Sequence, residues 1–501
     1  MLMASETPPE FDRSKIRLVF PAILAAGGLA ALDGNIVSAA LPIISSELGG
    51  VRQLPWVVTS FMLAQSATLL LYGKLGDIYG RRPLYLTAIT AFVLGSAICG
   101  FAPNMLVLIL SRALQGVGAA GLMSLGSATM ADLVPPRERG RYQGMITGNF
   151  ALSSLAGPVV GGLLTTFFGW RSVFLVNLPL GLIVAILLFR GVPRSDRHER
   201  HPIDYAGALL VMTAPAMALL AMTNAGTYGF GSLHVILYIA AALALIAALI
   251  WQERRCPYPL LDLTLFHDPL FARCAITITI VAFWFFGAVV FLPLYLQMAR
   301  GANAASSGAV MVPQLVGLLV ASIVGGRLIT RTGRFKAFIV AGVTLQTISL
   351  VTIGGITLWH APIPFLLAAL FFLGAGGGLA MPTITLAAQS TANRGQIGSA
   401  TSLMAFAHSV SAASGAAISG TIVSARVNGF LASATDPATA RLLARAGTQD
   451  LPHLSPASLD IVQRAYEHAI AMAFLTGGAA IVIAMLVAIT IPDRTLSRET
   501  Q

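Results

Sequence analysis

Two ionisable side chains stand inside apolar stretches of this 501-residue sequence, where ionised groups are costly. Asp33 lies in "GLAALDGNIVSAALP" (28–42) and is the one acid that falls near the middle of a predicted apolar helix. A charged group at that depth costs about 2.5–3.5 kcal/mol on insertion scales and commonly marks a functional path. Because desolvation disfavours the charged form of a carboxyl group, a carboxylate placed there can pick up and release protons.

Two further side chains could take part in this chemistry. Arg112, in "LILSRALQGVGAAG" (108–121), is the one arginine inside a predicted span. It could form a purely structural ion pair with Asp33 or tune Asp33 as a protonation switch, and the sequence leaves both open. His408, in "MAFAHSVSAASGAA", could be a second protonation site or a hydrogen-bonded packing residue.

The composition indicates the environment in which these residues work. Hydrophobic residues make up 56% of the chain and charged residues 10%, with a mean hydropathy of +0.80, whereas soluble domains carry about 25% charge. The sequence therefore predicts an all-α polytopic membrane protein. We interpret the net charge of +11 as arginines at one membrane surface rather than as a nucleic-acid site. The three scattered cysteines predict neither disulfides nor a metal site, and no cofactor is expected.

Apolar runs of about 20 residues predict fourteen transmembrane helices. They lie near 18–40, 54–76, 84–102, 105–131, 142–167, 172–192, 203–222, 233–252, 272–298, 307–330, 337–359, 363–388, 397–426 and 469–491. Lysine and arginine concentrate in alternate connections, which predicts that both termini are cytoplasmic. No further acid falls within a predicted span of the C-terminal half.

A weak internal repeat predicts two related halves. "GKLGDIYGRR" (73–82) overlays "GRLITRTGR" (326–334), with Gly80 matching Gly333 and Asp77 replaced by Thr330. Such weak internal sequence similarity is typical of transporters built from repeats. Chance similarity between short Gly- and Arg-rich segments is the alternative.

The repeat predicts two six-helix bundles with pseudo-two-fold symmetry and two inserted linker helices. The predicted divisions are an N-terminal cytoplasmic tail (1–17), an N-terminal bundle (18–192), a linker (193–271), a C-terminal bundle (272–491) that includes an extracytoplasmic loop (427–468), and a C-terminal tail (492–501).

Five ordered motifs resemble the major facilitator superfamily, specifically its fourteen-helix drug:proton antiporter branch. They are "LDGNIVSAALP" (32–42), "GKLGDIYGRRP" (73–83), "SRALQGVGAAG" (111–121), "AGPVVGGLL" (156–164) and "WRSVFLVNLPLG" (170–181). The resemblance covers nearly the whole chain and implies alternating access driven by protons.

The resemblance assigns a gating role to the second motif, made of Gly73, Gly76, Asp77, Gly80, Arg81 and Arg82. Small residues permit close helix approach in membranes. An aspartate near a helix terminus can accept hydrogen bonds from exposed N–H groups of a neighbouring helix. A purely topological role for the arginines is the alternative, and the two roles are compatible.

The resemblance assigns the antiporter motif to Gly157, Pro158, Gly161 and Gly162, implying a flexible fifth helix; a generic kinked packing helix is the alternative. Buried amides and aromatics are candidates to line a substrate cavity, although such residues more often pack or face lipid. The candidates are Asn35, Gln65, Gln115, Asn149, Phe283, Trp284, Gln297 and Gln314.

These features predict a proton-coupled exporter of small amphipathic or cationic molecules such as drugs, located in the cell (inner) membrane. A dedicated exporter of one metabolite, lipid or siderophore is the alternative, and a membrane enzyme or sensor is disfavoured. The expected partners are a small-molecule substrate, protons and membrane lipid, with no nucleic acid. A periplasmic adaptor stays open, and a monomer is expected from the resemblance.

Overall fold

The computed structural model describes most of the predicted helical regions. The described residues are 13–37, 40–48, 54–193, 204–229, 231–257, 259, 261–302, 304–359, 362–393, 396–436, 439, 440, 443 and 454–495. Most of both predicted tails and much of the predicted loop 427–468 lie outside these residues.

The described residues are almost entirely helical. In chain order the α-helices are α1 (Arg13–Ile36), α2 (Leu41–Leu48), α3 (Leu54–Tyr79), α4 (Arg81–Gly100), α5 (Met105–Leu133), α6 (Pro136–Phe168), α7 (Ser172–Leu175), α8 (Asn177–Gly191), α9 (Tyr205–Tyr228), α10 (Leu233–Arg255), α11 (Pro269–Met298), α12 (Ala304–Ala309), α13 (Val312–Thr332), α14 (Lys336–Leu358), α15 (Ile363–Gln389), α16 (Ile397–Ala434) and α17 (Pro456–Ile489). One isolated bridge, between Arg334 and Thr495, is the β-type pairing in the described part. The predicted all-α membrane class is confirmed.

Twelve helices in the described part of the chain are long and apolar enough to cross a membrane. The seventh and thirteenth predicted spans also coincide with helices, α9 and α16, which do not meet the same criterion over the residues described. In α16 the reason is chemical, because serine, glycine, alanine and threonine dominate "IGSATSLMAFAHSVSAASGAAISG" and keep its hydropathy low.

Several helix boundaries differ from the prediction. The first helix ends at Ile36, just after Gly34 and Asn35, which are weak helix formers. Asp33 therefore lies in its last turn and not near its middle.

The last helix begins at Pro456, well before the predicted residue 469, because Ser455 caps its first turn. Helix α16 also continues to Ala434, so both ends of the predicted loop 427–468 are helical.

Helices pack mainly within each half of the chain. In the first half, α5 packs on α3 and α4, and α1 packs on α6 and α8. In the second half, α15 packs on α13 and α14, and α11 packs on α16 and α17. The halves meet where α6 contacts α13 and where α3 contacts α16, while α9 packs against both α3 and α16.

Close helix contacts recur at the positions matched by the internal repeat. A Cβ on Gly73 would collide with Ser402 of α16, and a Cβ on Gly326 would collide with the carbonyl of Gly140 on α6. The matched glycines that end these segments, Gly80 and Gly333, have positive φ angles of 86° and 71°. Only glycine adopts that backbone region without strain, so each ends its helix cleanly.

Candidate functional site

Asp33 and Arg112 form a fully buried ion pair. Arg112 Nη1 lies 2.7 Å from Asp33 Oδ2, and both side chains are 0% exposed. The last turn of α1 supplies the carboxylate and the second turn of α5 supplies the guanidinium. The structure brings these two residues into contact, and their role as a protonation switch stays a prediction. The low dielectric of the interior strengthens the attraction between two such buried charges, but removing both charges from water costs several kcal/mol.

A polar cluster surrounds the carboxylate. Gln115 Nε2 donates to Asp33 Oδ1 at 2.8 Å, and Asn177 Nδ2 donates to the same oxygen at 2.6 Å. Both amides also donate to Ser96 Oγ, which donates to the carbonyl of Phe174. Gln115 lies within this cluster, and its predicted place in a cavity lining stays a prediction. Four helices, α1, α4, α5 and α8, are thereby joined around one carboxylate.

The guanidinium of Arg112 has further partners that lysine could not match. Arg112 Nη1 donates to Gln115 Oε1 at 2.7 Å, and Nε donates to the carbonyl of Val57 at 3.3 Å. Its plane lies 4.1 Å from the ring centroid of Phe61. Two buried atoms, Arg112 Nη2 and Asn177 Oδ1, have no hydrogen-bond partner among the described residues.

The second site lies where α3 meets α4. Asp77 and Asp132 flank Arg81, whose Nη2 lies 2.5 Å from Asp77 Oδ1 and whose Nε lies 2.9 Å from Asp132 Oδ2. Asp77 Oδ2 also accepts the backbone N–H of Ser399 at 3.2 Å, in the first turn of α16. A helix N-terminus favours an anion. The acid thereby connects the first half of the chain to the second.

Glycines create the space for this contact. Gly73 abuts Ser402 and the carbonyl of Gly398, and a Cβ on Gly398 would lie 2.6 Å from Asp77 Oδ2. Gly76 leaves room for Arg81. Arg82 does not join the cluster; its guanidinium lies 4.3 Å from the ring centroid of Phe189.

The predicted antiporter motif packs on α1 beside the buried pair. A Cβ on Gly157 would lie 2.8 Å from Asn35 Cβ, and a Cβ on Gly161 would collide with the carbonyl of Ile36. A Cβ on Gly162 would meet no atom of the described residues within 4 Å, so Gly162 takes no part in this contact. Pro158 lies within α6, and its side chain is outside the described part.

The remaining cavity candidates lie at separate contacts. Gln65 donates to Met123 Sδ at 3.0 Å, Asn149 to the carbonyl of Leu24 at 3.0 Å, Asn35 to the carbonyl of Ala31 at 2.9 Å, and Gln297 to Ser307 Oγ at 3.0 Å. Gln314 is buried, and its Oε1 accepts no hydrogen bond from the described residues. Phe283 and Trp284 pack edge to face at 5.1 Å. The predicted cavity lining by these residues stays a prediction.

His408 lies in the other half of the molecule from Asp33. Its ring packs edge to face on Phe286 with centroids 5.4 Å apart, and its neighbour Ser409 shares a hydrogen bond with Ser66 across the two halves. The ring therefore sits close to the contact between α3 and α16. Its predicted role in proton transfer stays a prediction.

Sequence reasoning missed three polar residues. Asn177 and Ser96 are buried in the Asp33 cluster; a lone amide in the apolar run "VFLVNLPLG" was the available signal for Asn177. Glu467 is 7% exposed within α17, which corrects the expectation that no acid lies in a C-terminal span. The early start of α17 brings it into the helix.

An ion pair outside the spans ties α2 to the turn that precedes α7. Glu47 accepts Arg171 Nη1 at 2.7 Å and also accepts the indole N–H of Trp170. These hydrogen bonds lower the pKa of Glu47 from its ordinary value of 4.5. Within the described residues, no group of three His, Cys, Asp or Glu side chains is arranged to hold a metal ion.

A helical membrane fold with a buried ion pair in one half and a charged contact between halves defines a class of solute transporter. Residues 23–416 match the family model of the Major Facilitator Superfamily. The chain belongs to this family, and it is a transporter rather than an enzyme. Members of the family bind small-molecule substrates and typically function as monomers.

Curated relatives include an uncharacterized transporter and a named multidrug transporter. The chain is 35% identical over 480 residues to the uncharacterized MFS-type transporter Rv1877 of Mycobacterium tuberculosis (strain ATCC 25618 / H37Rv), covering 95% of this chain and 69% of that protein. It is 32% identical to the multidrug transporter protein MdtP of Bacillus subtilis (strain 168), covering 84% and 78%. The resemblance to the drug-efflux members of the superfamily is confirmed.

Solved structures agree on the fold. The human organic anion transporter MFSD10 (TETRAN) superposes with a TM-score of 0.64 at 15% identity, covering 96% of this chain and 100% of that one. The proton:xylose symporter XylE superposes with a TM-score of 0.60 at 14% identity, covering 97% and 98%. At these identities the similarity speaks for the fold alone.

Proposed function

We propose that this protein is a proton-coupled efflux antiporter that exports small amphipathic or cationic compounds, drugs among them, by alternating access. The observation that carries the proposal is the fully buried pair of Asp33 and Arg112. A proton on Asp33 would neutralise the carboxylate and leave Arg112 as an uncompensated buried charge. The helices that meet there would then favour a different arrangement.

The proposed architecture has fourteen spans in two six-helix bundles, with α9 and α10 as linker helices. Matched contacts at Gly73 and Gly326 support the two-fold relation. The distribution of arginines supports cytoplasmic termini in the cell (inner) membrane. In that orientation the contact of Asp77 with α16 closes the cytoplasmic end, as the gating assignment requires. The proton gradient would drive transport without a cofactor, and an adaptor protein remains an optional partner.

The test compares wild type with Asp33→Asn at matched levels in inverted vesicles that carry an acid-inside gradient. We expect wild type to accumulate ethidium and release protons. In the variant, ethidium uptake and proton release should both fall at least about tenfold, because it has no titratable group at this place. Asp460→Asn, which alters an exposed acid paired with Arg464 one turn away, is the matched control.

Other outcomes separate the alternatives. If Asp33→Asn couples protons as well as wild type does, Asp33 is structural, and His408 and Glu467 become the next residues to substitute. If neither protein moves ethidium or related cations, the proposed broad range of exported compounds is wrong. A dedicated exporter of one metabolite, lipid or siderophore then takes its place, and a panel of such compounds is tested next.

A further inference from the structure

An open groove lies at the end of α10, and its lining shares no residue with the Asp33 or Asp77 ion pairs. Its volume is about 430 Å³, and it is lined by Ala247, Ile250, Trp251, Arg254 and Arg255. Above it, α10 exposes apolar side chains along its length, including Leu237 and Leu243. A helix that is exposed and apolar in this way faces lipid, so the groove opens at the level where acyl chains meet headgroups.

The groove carries two positive charges. Within the described residues, neither Arg254 nor Arg255 forms an ion pair. Acids of this region are turned inward: Glu253 is 4% exposed and accepts the N–H of Leu261 at 3.0 Å, and Asp204 accepts from Gln252 at 3.0 Å. The charges are therefore available to an external anion.

Trp251 is the aromatic side chain in the lining of the groove. It is 55% exposed, and the guanidinium of Arg255 lies 4.2 Å from its ring centroid. The stacking holds one arginine in place beside an amphipathic ring of the kind enriched at membrane interfaces. A phosphate-sized anion with an apolar tail matches this combination of fixed charge, aromatic wall and apolar floor.

We propose that this groove binds an anionic phospholipid, with the headgroup phosphate on Arg254 and Arg255 and an acyl chain along Ala247 and Ile250. Basic pockets at the ends of membrane helices select anionic headgroups. The site belongs to the linker helices and is independent of the proposed antiport. Its test therefore needs no transport and succeeds or fails separately.

The experiment measures lipid binding to the purified full chain by native mass spectrometry, with phosphatidylglycerol and phosphatidylcholine as probes. We expect wild type to prefer phosphatidylglycerol. Arg254→Gln/Arg255→Gln should lower the affinity for it roughly 25-fold, since each basic residue near an anionic surface contributes about 1 kcal/mol, or roughly fivefold. Arg334→Gln, which removes an exposed arginine just beyond the end of α13, is the matched control and should leave the preference intact.

Three results would overturn the proposal. The first is equal binding of the two lipids by wild type. The second is an unchanged preference in the double variant, or an equal loss in Arg334→Gln, which would reduce the effect to general surface charge. The third is full competition by glycerol 3-phosphate, which would indicate a site for a free phosphate. If the double variant is unstable, the single variants Arg254→Gln and Arg255→Gln replace it. Each is expected to lower the affinity for phosphatidylglycerol roughly fivefold.

Discussion

At the scale of single residues, one carboxylate lies in a hydrogen-bonded cluster to which four helices contribute side chains. Asp33 accepts hydrogen bonds from Arg112, Gln115 and Asn177, and its side chain is fully buried. Such a pair could serve stability alone or transport, and the two roles make different predictions for paired substitutions.

Arg112→Gln leaves Asp33 as an unpaired buried charge, so we expect a loss of about 3–5 kcal/mol of stability. Asp33→Asn/Arg112→Gln removes both charges and should recover most of that loss while transport stays absent. Thermal unfolding of the purified variants and proton-driven uptake in vesicles give the two readouts. Recovery of transport together with stability would make the pair purely structural.

Glu47 gives a pH dependence whose sign follows from its hydrogen bonds. Its pKa is lowered in the folded protein, so the stabilisation by Trp170 and Arg171 is fully present above its ordinary value of 4.5. It is lost as the pH falls below that value and through the folded pKa. We expect Glu47→Gln to flatten this acidic part of the stability profile, measured by unfolding temperature against pH. An unaltered profile would show that other groups cause it.

At the scale of elements, backbone contact between helices depends on individual glycines. Two adjacent glycines of α6 differ: Gly161 abuts the carbonyl of Ile36, whereas a Cβ on Gly162 would meet no atom of the described residues within 4 Å. The family motif contains both, but the structure assigns packing on α1 to one.

Gly161→Ala should therefore push α6 away from α1 and disturb the segment that carries Asp33. Because the obstacle is backbone rather than a flexible side chain, we expect a stability loss of about 1–3 kcal/mol, together with reduced uptake. Gly162→Ala is the neighbouring control and should behave as wild type in both unfolding and uptake assays. Equal effects of the two substitutions would contradict this packing.

At the scale of the whole molecule, the halves touch through small hydroxyl residues. Ser124 of α5 and Ser402 of α16 share a hydrogen bond of 2.8 Å, beside the contact of Gly73 with α16. The proposed alternating access requires this contact to open and close.

Ser124→Cys/Ser402→Cys should form a disulfide under oxidation and hold this end of the molecule closed. We expect uptake to fall at least about tenfold and to return on reduction, because a contact that must separate has been locked. Each single-cysteine variant controls for the substitution and for the native Cys99, Cys256 and Cys274. Full uptake by a protein shown to be cross-linked would exclude movement at this contact.

Local sequence determined a large part of this protein. Apolar length fixed the positions of the helices, because a backbone in hydrocarbon must satisfy its own hydrogen bonds. An acid and an arginine in apolar runs marked the buried pair, since such residues are costly without a partner. Glycine at positions 80 and 333 permits the positive φ angles found at two helix ends, because glycine adopts such angles at no steric cost.

Tertiary structure decided which of these residues meet. Asn177 and Ser96 join Asp33 only because α8 and α4 pack beside α1, and no local pattern encodes that packing. Gly398 matters because Asp77 approaches it from the other half of the chain. The burial of Glu467 and the separation of Gly161 from Gly162 likewise depend on where neighbouring helices lie. Periodicity and composition describe a helix and its faces, whereas its neighbours are chosen by the packing of the whole chain.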